Sequence, residues 1–458
     1  MNGKSNRSIL IILFAGVLMG ALDISIVGPA IPSIEEALQI PPRDLGWIFS
    51  IYVLFNLTGV SLFARLSDIY GRRSIYILSL FIFALGSLVV AISGNFTYLL
   101  VGRAVQGFGA SGIFPVASAV VGDIFPREKR GRVLGLIGAV FGIAFIIGPI
   151  IAGVMLHYFK WHSLFIINLP VAIVLILASM RFIPATKVGS SGVFDWKGIL
   201  SLGLMLAAFT YGVNRIEASS FLHSILSWKV MPFLILTLAM GMLTFLVEKS
   251  ALNPVLKLNY FRNRQIVIAG IIAVSTGLVQ STFVFIPVFA VGEFGVSSSQ
   301  ASFMLVPLVF ATALGSPVFG RLIDRYGSKI VINLALALTF IGFTILSVFE
   351  VTKFIFYLSG VFVGLGLSVL SGSSLRYIML NETEAIDRAV TQGMLTIFIS
   401  LGQLTGAALI GMILARYTVS DGYVHMFLFL SVMLVAVFVL SLRLKKRNEE
   451  QDMPSGIS

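Results

Sequence analysis

The chain is dominated by apolar runs too long for a soluble core. Fourteen can be marked, at roughly 8–29, 45–64, 75–94, 98–120, 132–155, 164–181, 197–214, 230–247, 265–289, 301–319, 330–349, 354–374, 389–415 and 424–442. Each is near the ~20 residues a helix needs to cross a bilayer. In hydrocarbon no water satisfies a backbone N–H or C=O, so a spanning segment is a helix or part of a closed barrel. Runs this long and unalternating specify helices. Only 11% of the residues are charged, 57% are hydrophobic, and the mean hydropathy is +1.00. A soluble fold of that composition would expose large apolar patches. The chain is therefore expected to be an all-α polytopic membrane protein. Lys4 and Arg7 ahead of the first run mimic a secretory signal, but the run is too long for a signal core and similar runs follow.

The net charge of +12 invites a nucleic-acid partner. The placement of the charges argues against one. With the N-terminus inside, 25 of the 32 Lys and Arg residues fall in inner segments, 6 in outer loops, and only Arg103 lies well within a span. That is the positive-inside bias of membrane proteins. It predicts a multi-pass protein with both termini cytoplasmic and the lipid bilayer, not nucleic acid, as its surroundings. Cysteine is absent and the four His have no ligand spacing, so thiolate and metal chemistry are not expected. No nucleotide-binding P-loop is present. A channel would need a continuous polar pore, and these spans are nearly uncharged. The expectation is a transporter rather than an enzyme, with no cofactor and no metal.

The stretch FARLSDIYGRR at 63–73 repeats as FGRLIDRYGSK at 319–329, an offset of 256 residues. Each copy joins the second and third spans of a six-span unit, and internal repeats of this kind mark transporter folds. The organisation that follows is an N-terminal six-helix bundle (1–181), an inserted helix pair (197–214 and 230–247) with linkers across 182–264, a C-terminal six-helix bundle (265–445) and a cytoplasmic tail (446–458). Gly71 permits a tight bend in the first copy of the turn. Asp68 closes a helix and is able to pair with a nearby Arg or a helix N-terminus, and Arg72 and Arg73 favour the inner leaflet. The same residues would serve as a topology signal alone.

Several motifs together give the chain a likeness. ARLSDIYGRR at 64–73, GRLIDRYGSK at 320–329, LVGRAVQGFGAS at 100–111, GIAFIIGPIIAG at 142–153, LDISIVGPAIP at 22–32 and WHSLFIINLP at 161–170 resemble the motifs of the major facilitator superfamily, and more narrowly of its fourteen-helix drug/proton antiporters. Ala64, Ala152 and His162 depart from the usual residues. The resemblance implies a major facilitator fold of two six-helix bundles plus two inserted helices, and multidrug efflux from a bacterial cell membrane. It implies a monomer that exchanges lipophilic, cationic small molecules for protons by alternating access. An exporter of a lipid or a specific metabolite would use the same scaffold.

The resemblance also assigns residues. Asp68, Gly71, Arg72 and Arg73, with Asp324 and Arg325 in the repeat, would form a conformational latch. Gly148, Pro149 and Gly153 belong to the antiporter motif, where small residues allow close helix approach. Tyr52, Asn56, Gln106, Phe141 and Phe145 are candidate cavity residues. Asp23 and Arg103 are the two formal charges placed well inside spans. A carboxylate at the centre of a membrane helix costs about 2.5–3.5 kcal/mol and is a functional-site hypothesis by default. Asp23 is expected about six residues from the outer end of its span, level with Arg103 across antiparallel helices at ~1.5 Å per residue. Together they are the expected proton-coupling pair.

Overall fold

A computed structural model describes residues 3–124, 140, 143–144, 147–185, 196–216, 221–250, 257–371, 373–383, 388–417 and 419–448. Among these there is no strand. Eleven helices are long and apolar enough to cross a membrane, and three shorter apolar helices (Gly46–Val60, Ile147–Tyr158 and Leu200–Val213) fall on the remaining predicted spans. The chain divides into two compact units, Met1–Ala207 with Ser297–Phe303, and Ala208–Val296 with Met304–Ser458.

The first unit contains α1 (Gly3–Leu38), α2 (Gly46–Tyr70), α3 (Arg72–Ala91), α4 (Phe96–Ile124), α5 (Ile147–Tyr158), α6 (Ser163–Ile166), α7 (Asn168–Phe182) and the start of α8 (Trp196–Asn214). Lipid offers no hydrophobic drive between helices, so association depends on close packing. The sequence supplies it with small residues. A Cβ on Gly86 of α3 would strike the Gln106 backbone, and one on Gly107 of α4 would strike the Tyr52 carbonyl oxygen of α2. Helix α4 is thereby wedged against both neighbours. Leu13, Val17, Tyr76, Phe83 and Val116 are buried in the adjoining core. Helix α1 is longer than the run at 8–29 suggested. It continues through Pro29 and Pro32 to Leu38, so Asp23 lies well inside it rather than about six residues from its end.

The second unit holds the rest of α8, then α9 (Phe221–Ile225), α10 (Met231–Ser250), α11 (Arg264–Ser281) and α12 (Ile286–Phe294). After α13 (Ser298–Met304), which packs largely with the first unit, come α14 (Val306–Tyr326), α15 (Ser328–Val348), α16 (Lys353–Leu370), α17 (Ser373–Asn381), α18 (Arg388–Arg416) and α19 (Val419–Ser441). Three predicted spans are interrupted here. The span at 265–289 breaks around Thr282–Phe285, and Pro287 stands in the first turn of α12. The span at 301–319 breaks at Leu305, ahead of Pro307 in the first turn of α14. Proline lacks the N–H that a continuous helix needs, and it fits a first turn. The third span, at 354–374, ends as α16 at Leu370, with Ser371 as its C-cap.

The sequence repeat is visible in the backbone. Helix α2 ends at Tyr70 and α3 begins at Arg72; α14 ends at Tyr326 and α15 begins at Ser328. The linking Gly71 and Gly327 have φ of 92° and 82°. L side chains avoid that region, so glycine is what lets the chain reverse within one residue.

Candidate functional site

Asp23 of α1, Arg103 and Gln106 of α4, Ser87 of α3, Asn168 of α7 and Tyr52 of α2 converge in the first unit, and all six are buried. The helix periodicity places Arg103 and Gln106 on one face of α4, three residues apart, and the Gly86 and Gly107 contacts bring that face close to α3 and α2.

Every polar contact to the Asp23 carboxylate is a donor. Arg103 Nη1 donates to Oδ2 at 2.7 Å, Gln106 Nε2 to Oδ1 at 2.8 Å and Asn168 Nδ2 to Oδ1 at 3.0 Å. The donors are themselves held. Arg103 Nη1 also donates to Gln106 Oε1 at 2.9 Å, and Arg103 Nε to the Ile48 carbonyl at 3.2 Å. Ser87 Oγ accepts from Gln106 Nε2 at 2.8 Å and from Asn168 Nδ2 at 3.2 Å, and donates to the Phe83 carbonyl at 3.0 Å. The Arg103 guanidinium carbon stands 4.3 Å from the Tyr52 ring centroid, within cation–π range. Its Nη2 makes no hydrogen bond among the described residues.

This arrangement fits an ionised carboxylate. Burying a charge is tolerable when it is paired and its lone pairs are used, and here both oxygens are met. Three donors meet the two oxygens, and the Arg103 guanidinium supplies the balancing charge.

The sequence placed Asp23, Arg103 and Gln106 together; Tyr52, expected only as a cavity residue, joins them. It missed Ser87 and Asn168. Asn168 lies in the quoted WHSLFIINLP stretch, where a polar side chain inside an apolar run was the available signal. Ser87 is one small polar residue among several in α3 and gave none. Asn56, one turn from Tyr52, donates to the Gly107 carbonyl at 3.3 Å and ties α2 to α4 instead of joining the cluster. Phe141 and Phe145 lie outside the described residues.

The antiporter-motif residues sit beside α1. A Cβ on Gly148 would collide with Ser25, whose Oγ donates to the carbonyls of Leu22 at 2.9 Å and Ala144 at 3.0 Å. Pro149 is buried next to it. A Cβ on Gly153 would press on the Phe303 ring, and Ser299 Oγ donates to the Gly153 carbonyl at 2.6 Å. At the turn after α2, Arg72 pairs with Asp123 at 3.0 Å and donates to Ser67 Oγ at 2.7 Å, while Arg73 Nη1 donates to the Met180 carbonyl at 3.4 Å. Asp123 is a partner the sequence did not single out. The Asp68 and Asp324 side chains lie outside the described residues. Arg325 is exposed, 5.3 Å from the Tyr326 ring centroid. Among the described residues no group of three or more His, Asp or Glu is arranged to hold a metal ion.

A helical membrane chain with an internal repeat and a buried ion pair in its first half matches the Major Facilitator Superfamily family model over residues 13–279 and 268–456. The protein belongs to that superfamily. It is 30% identical over 408 residues to the uncharacterized MFS-type transporter YfiU of Bacillus subtilis (strain 168), covering 87% of this chain and 78% of the relative. It is 27% identical over 418 residues to Multidrug resistance protein 3 of the same organism, covering 89% and 79%. It is also 27% identical over 373 residues to the riboflavin transporter RibZ of Clostridioides difficile (strain 630), covering 80% and 79%. Among solved structures, the nucleoside transporter NupG matches in fold with a TM-score of 0.68 at 14% identity, over 97% of this chain and 100% of that one.

Proposed function

We propose that the protein is a proton-coupled antiporter of the cell membrane that exports lipophilic, cationic small molecules by alternating access. In this reading it is a monomer with fourteen spans and cytoplasmic termini. Its two six-helix bundles cover 1–181 and 265–445, with the pair 197–214 and 230–247 inserted between them. Transport as such follows from the family; relatives named as multidrug resistance proteins support efflux.

The observation that carries proton coupling is the Asp23 site. Its carboxylate is buried and receives three donors, one of them Arg103. In this reading Arg103 in place favours the charged carboxylate, and its withdrawal favours the protonated one. A conformational change that moves Arg103 therefore loads or unloads a proton. A cationic substrate competes with that proton for the same charge balance. Gln106 and Asn168 fix the carboxylate's orientation, and Ser87 fixes the two amides.

The test is substrate-induced proton release from the purified protein in detergent, using tetraphenylphosphonium. The wild type is expected to release protons and Asp23→Asn not to. Undiminished release from Asp23→Asn places the proton site elsewhere. A second reading, export of one specific metabolite, is favoured by the relative named as a riboflavin transporter. Competition of flavins with tetraphenylphosphonium separates the two.

A further inference from the structure

The second unit holds its own half-buried polar chain. Gln403 Nε2 of α18 donates to Gln280 Oε1 of α11 at 2.8 Å, and Gln280 Nε2 donates to Ser371 Oγ, the C-cap of α16, at 2.8 Å. All three residues are half-buried. They sit inside apolar spans, and no charged residue lies between Arg264 and Glu293 in the chain. Polar side chains there are costly unless they face protein or an aqueous cavity.

Two further features single out the place. Gln280 is followed within two residues by the break in α11, and Ser371 is where α16 ends. Interrupted helices form the binding sites of many transporters, and irregular backbone at membrane depth is tolerated only where it is buried in protein or lines a cavity. The two amides are also rigidly placed. A Cβ on Gly277 would collide with the Ile399 carbonyl oxygen, and one on Gly402 with that of Val274, so α11 and α18 are in backbone contact in the turn just before the pair. In the 256-residue repeat Gln280 falls on Ile24, next to Asp23. Asp23 itself corresponds to Val279, so the amide stands one residue beyond the position of the charge.

The chain leaves specific groups unused. Gln403 Oε1 accepts no hydrogen bond among the described residues, and each amide nitrogen keeps a second N–H besides the one it donates. Adjacent acceptor and donor on a carboxamide match a ligand edge with donor beside acceptor, as in a lactam or cyclic imide. We propose that Gln280, Gln403 and Ser371 form a binding site for the neutral lactam or imide edge of a planar heterocyclic substrate. Gln403 Oε1 accepts the ring N–H, and the free amide N–H groups donate to the flanking carbonyl. The proposal rests on the small-molecule transport reading above, but not on proton coupling.

The probes are lumiflavin, which carries an imide N–H between two carbonyls, and 3-methyllumiflavin, in which that N–H is blocked. Binding to the purified full chain in detergent is read by flavin fluorescence. A polar site deprived of its partner discriminates by leaving its own groups unpaired. The wild type is expected to bind lumiflavin about tenfold tighter than the methylated form. The ratio should fall to about one in Gln403→Leu and Gln280→Leu, and survive in Asp23→Asn. Equal binding of the two probes by the wild type, binding of neither, or a ratio that persists in both leucine variants overturns the site. The wild-type comparison needs no variant to fold. Proton release driven by tetraphenylphosphonium, measured alongside, separates the two claims. Its loss with the flavin ratio intact refutes only the coupling, and the converse refutes only this site.

Discussion

Arg103→Lys tests whether the first-unit site depends on a charge or on a shaped charge. Arginine makes three hydrogen bonds here: to Asp23 Oδ2 at 2.7 Å, to Gln106 Oε1 at 2.9 Å and to the Ile48 carbonyl at 3.2 Å. Lysine keeps the charge, and a nitrogen in the place of Nη1 keeps both bonds that Nη1 makes, to Asp23 and to Gln106. It cannot also reach the Ile48 carbonyl, which the guanidinium fork serves from Nε. One charge-assisted bond is worth about 1.5 kcal/mol. At about 1.4 kcal/mol per decade that is roughly one decade in rate. The assay is dye-driven collapse of a pH gradient in everted vesicles, normalised to inserted protein. Arg103→Lys should transport about tenfold more slowly while remaining folded, since Asp23 is still paired. Arg103→Ala leaves a buried carboxylate uncompensated, at about 3–5 kcal/mol, and should lose folded protein as well. A lysine variant within threefold of wild type would refute the argument from geometry and leave only a requirement for positive charge.

Gly107→Ala forces a methyl into the Tyr52 carbonyl and should separate α2 from α4, costing about 1–3 kcal/mol and slowing transport. Gly94→Ala, with nothing within 4 Å of the new Cβ, should be silent in the same melting and transport assays; equal effects would refute the packing account. Asp123→Asn frees a partly exposed pair (35% exposure at Asp123) and should shift the melting midpoint little, because such pairs contribute about 0–1 kcal/mol. Transport should nevertheless fall if the turn is a latch, and normal transport there and in Asp68→Asn reduces the turn to a topology signal. A phosphatase fused after Arg447 should be inactive, and an active fusion would overturn the fourteen-span topology.

Helix positions were legible in the sequence because hydropathy alone sets them. The breaks were less so. Pro287 and Pro307 were visible, but a proline either kinks a helix or starts a new one, and tertiary packing decides which. The site was half legible for a related reason. Asp23 and Arg103 announce themselves because charge is costly in hydrocarbon, whatever surrounds it. Ser87 and Asn168 are cheap residues whose value comes from where α3 and α7 place them. Asp123 was hidden by an ordinary location at a helix end. A one-dimensional reading finds the groups that are expensive and misses the groups that offset their expense.

The two halves of the repeat show which constraints a fold shares and which a site does not. Gly71 and Gly327 adopt the same positive φ, and Gly86 and Gly342 each meet a neighbouring helix too closely for a side chain. Those are demands of the backbone, and both halves obey them. Side-chain chemistry is free to diverge on that frame. Ser359 stands 256 residues after Arg103 and donates to the Gly342 carbonyl at 2.8 Å. Phe343 stands where the repeat puts Ser87, stacked on Phe427 with centroids 6.0 Å apart. At those positions the second unit has a short hydroxyl contact and an aromatic stack in place of the ionic cluster. Between α11, α16 and α18 its polar contacts are uncharged. A duplicated charge would need a second full set of buried partners to be tolerated. Under the two proposals above, this separation of ionic from neutral chemistry lets coupling and recognition be altered independently, by substitutions at Arg103 or Asn168 on one side and at Gln280 or Gln403 on the other.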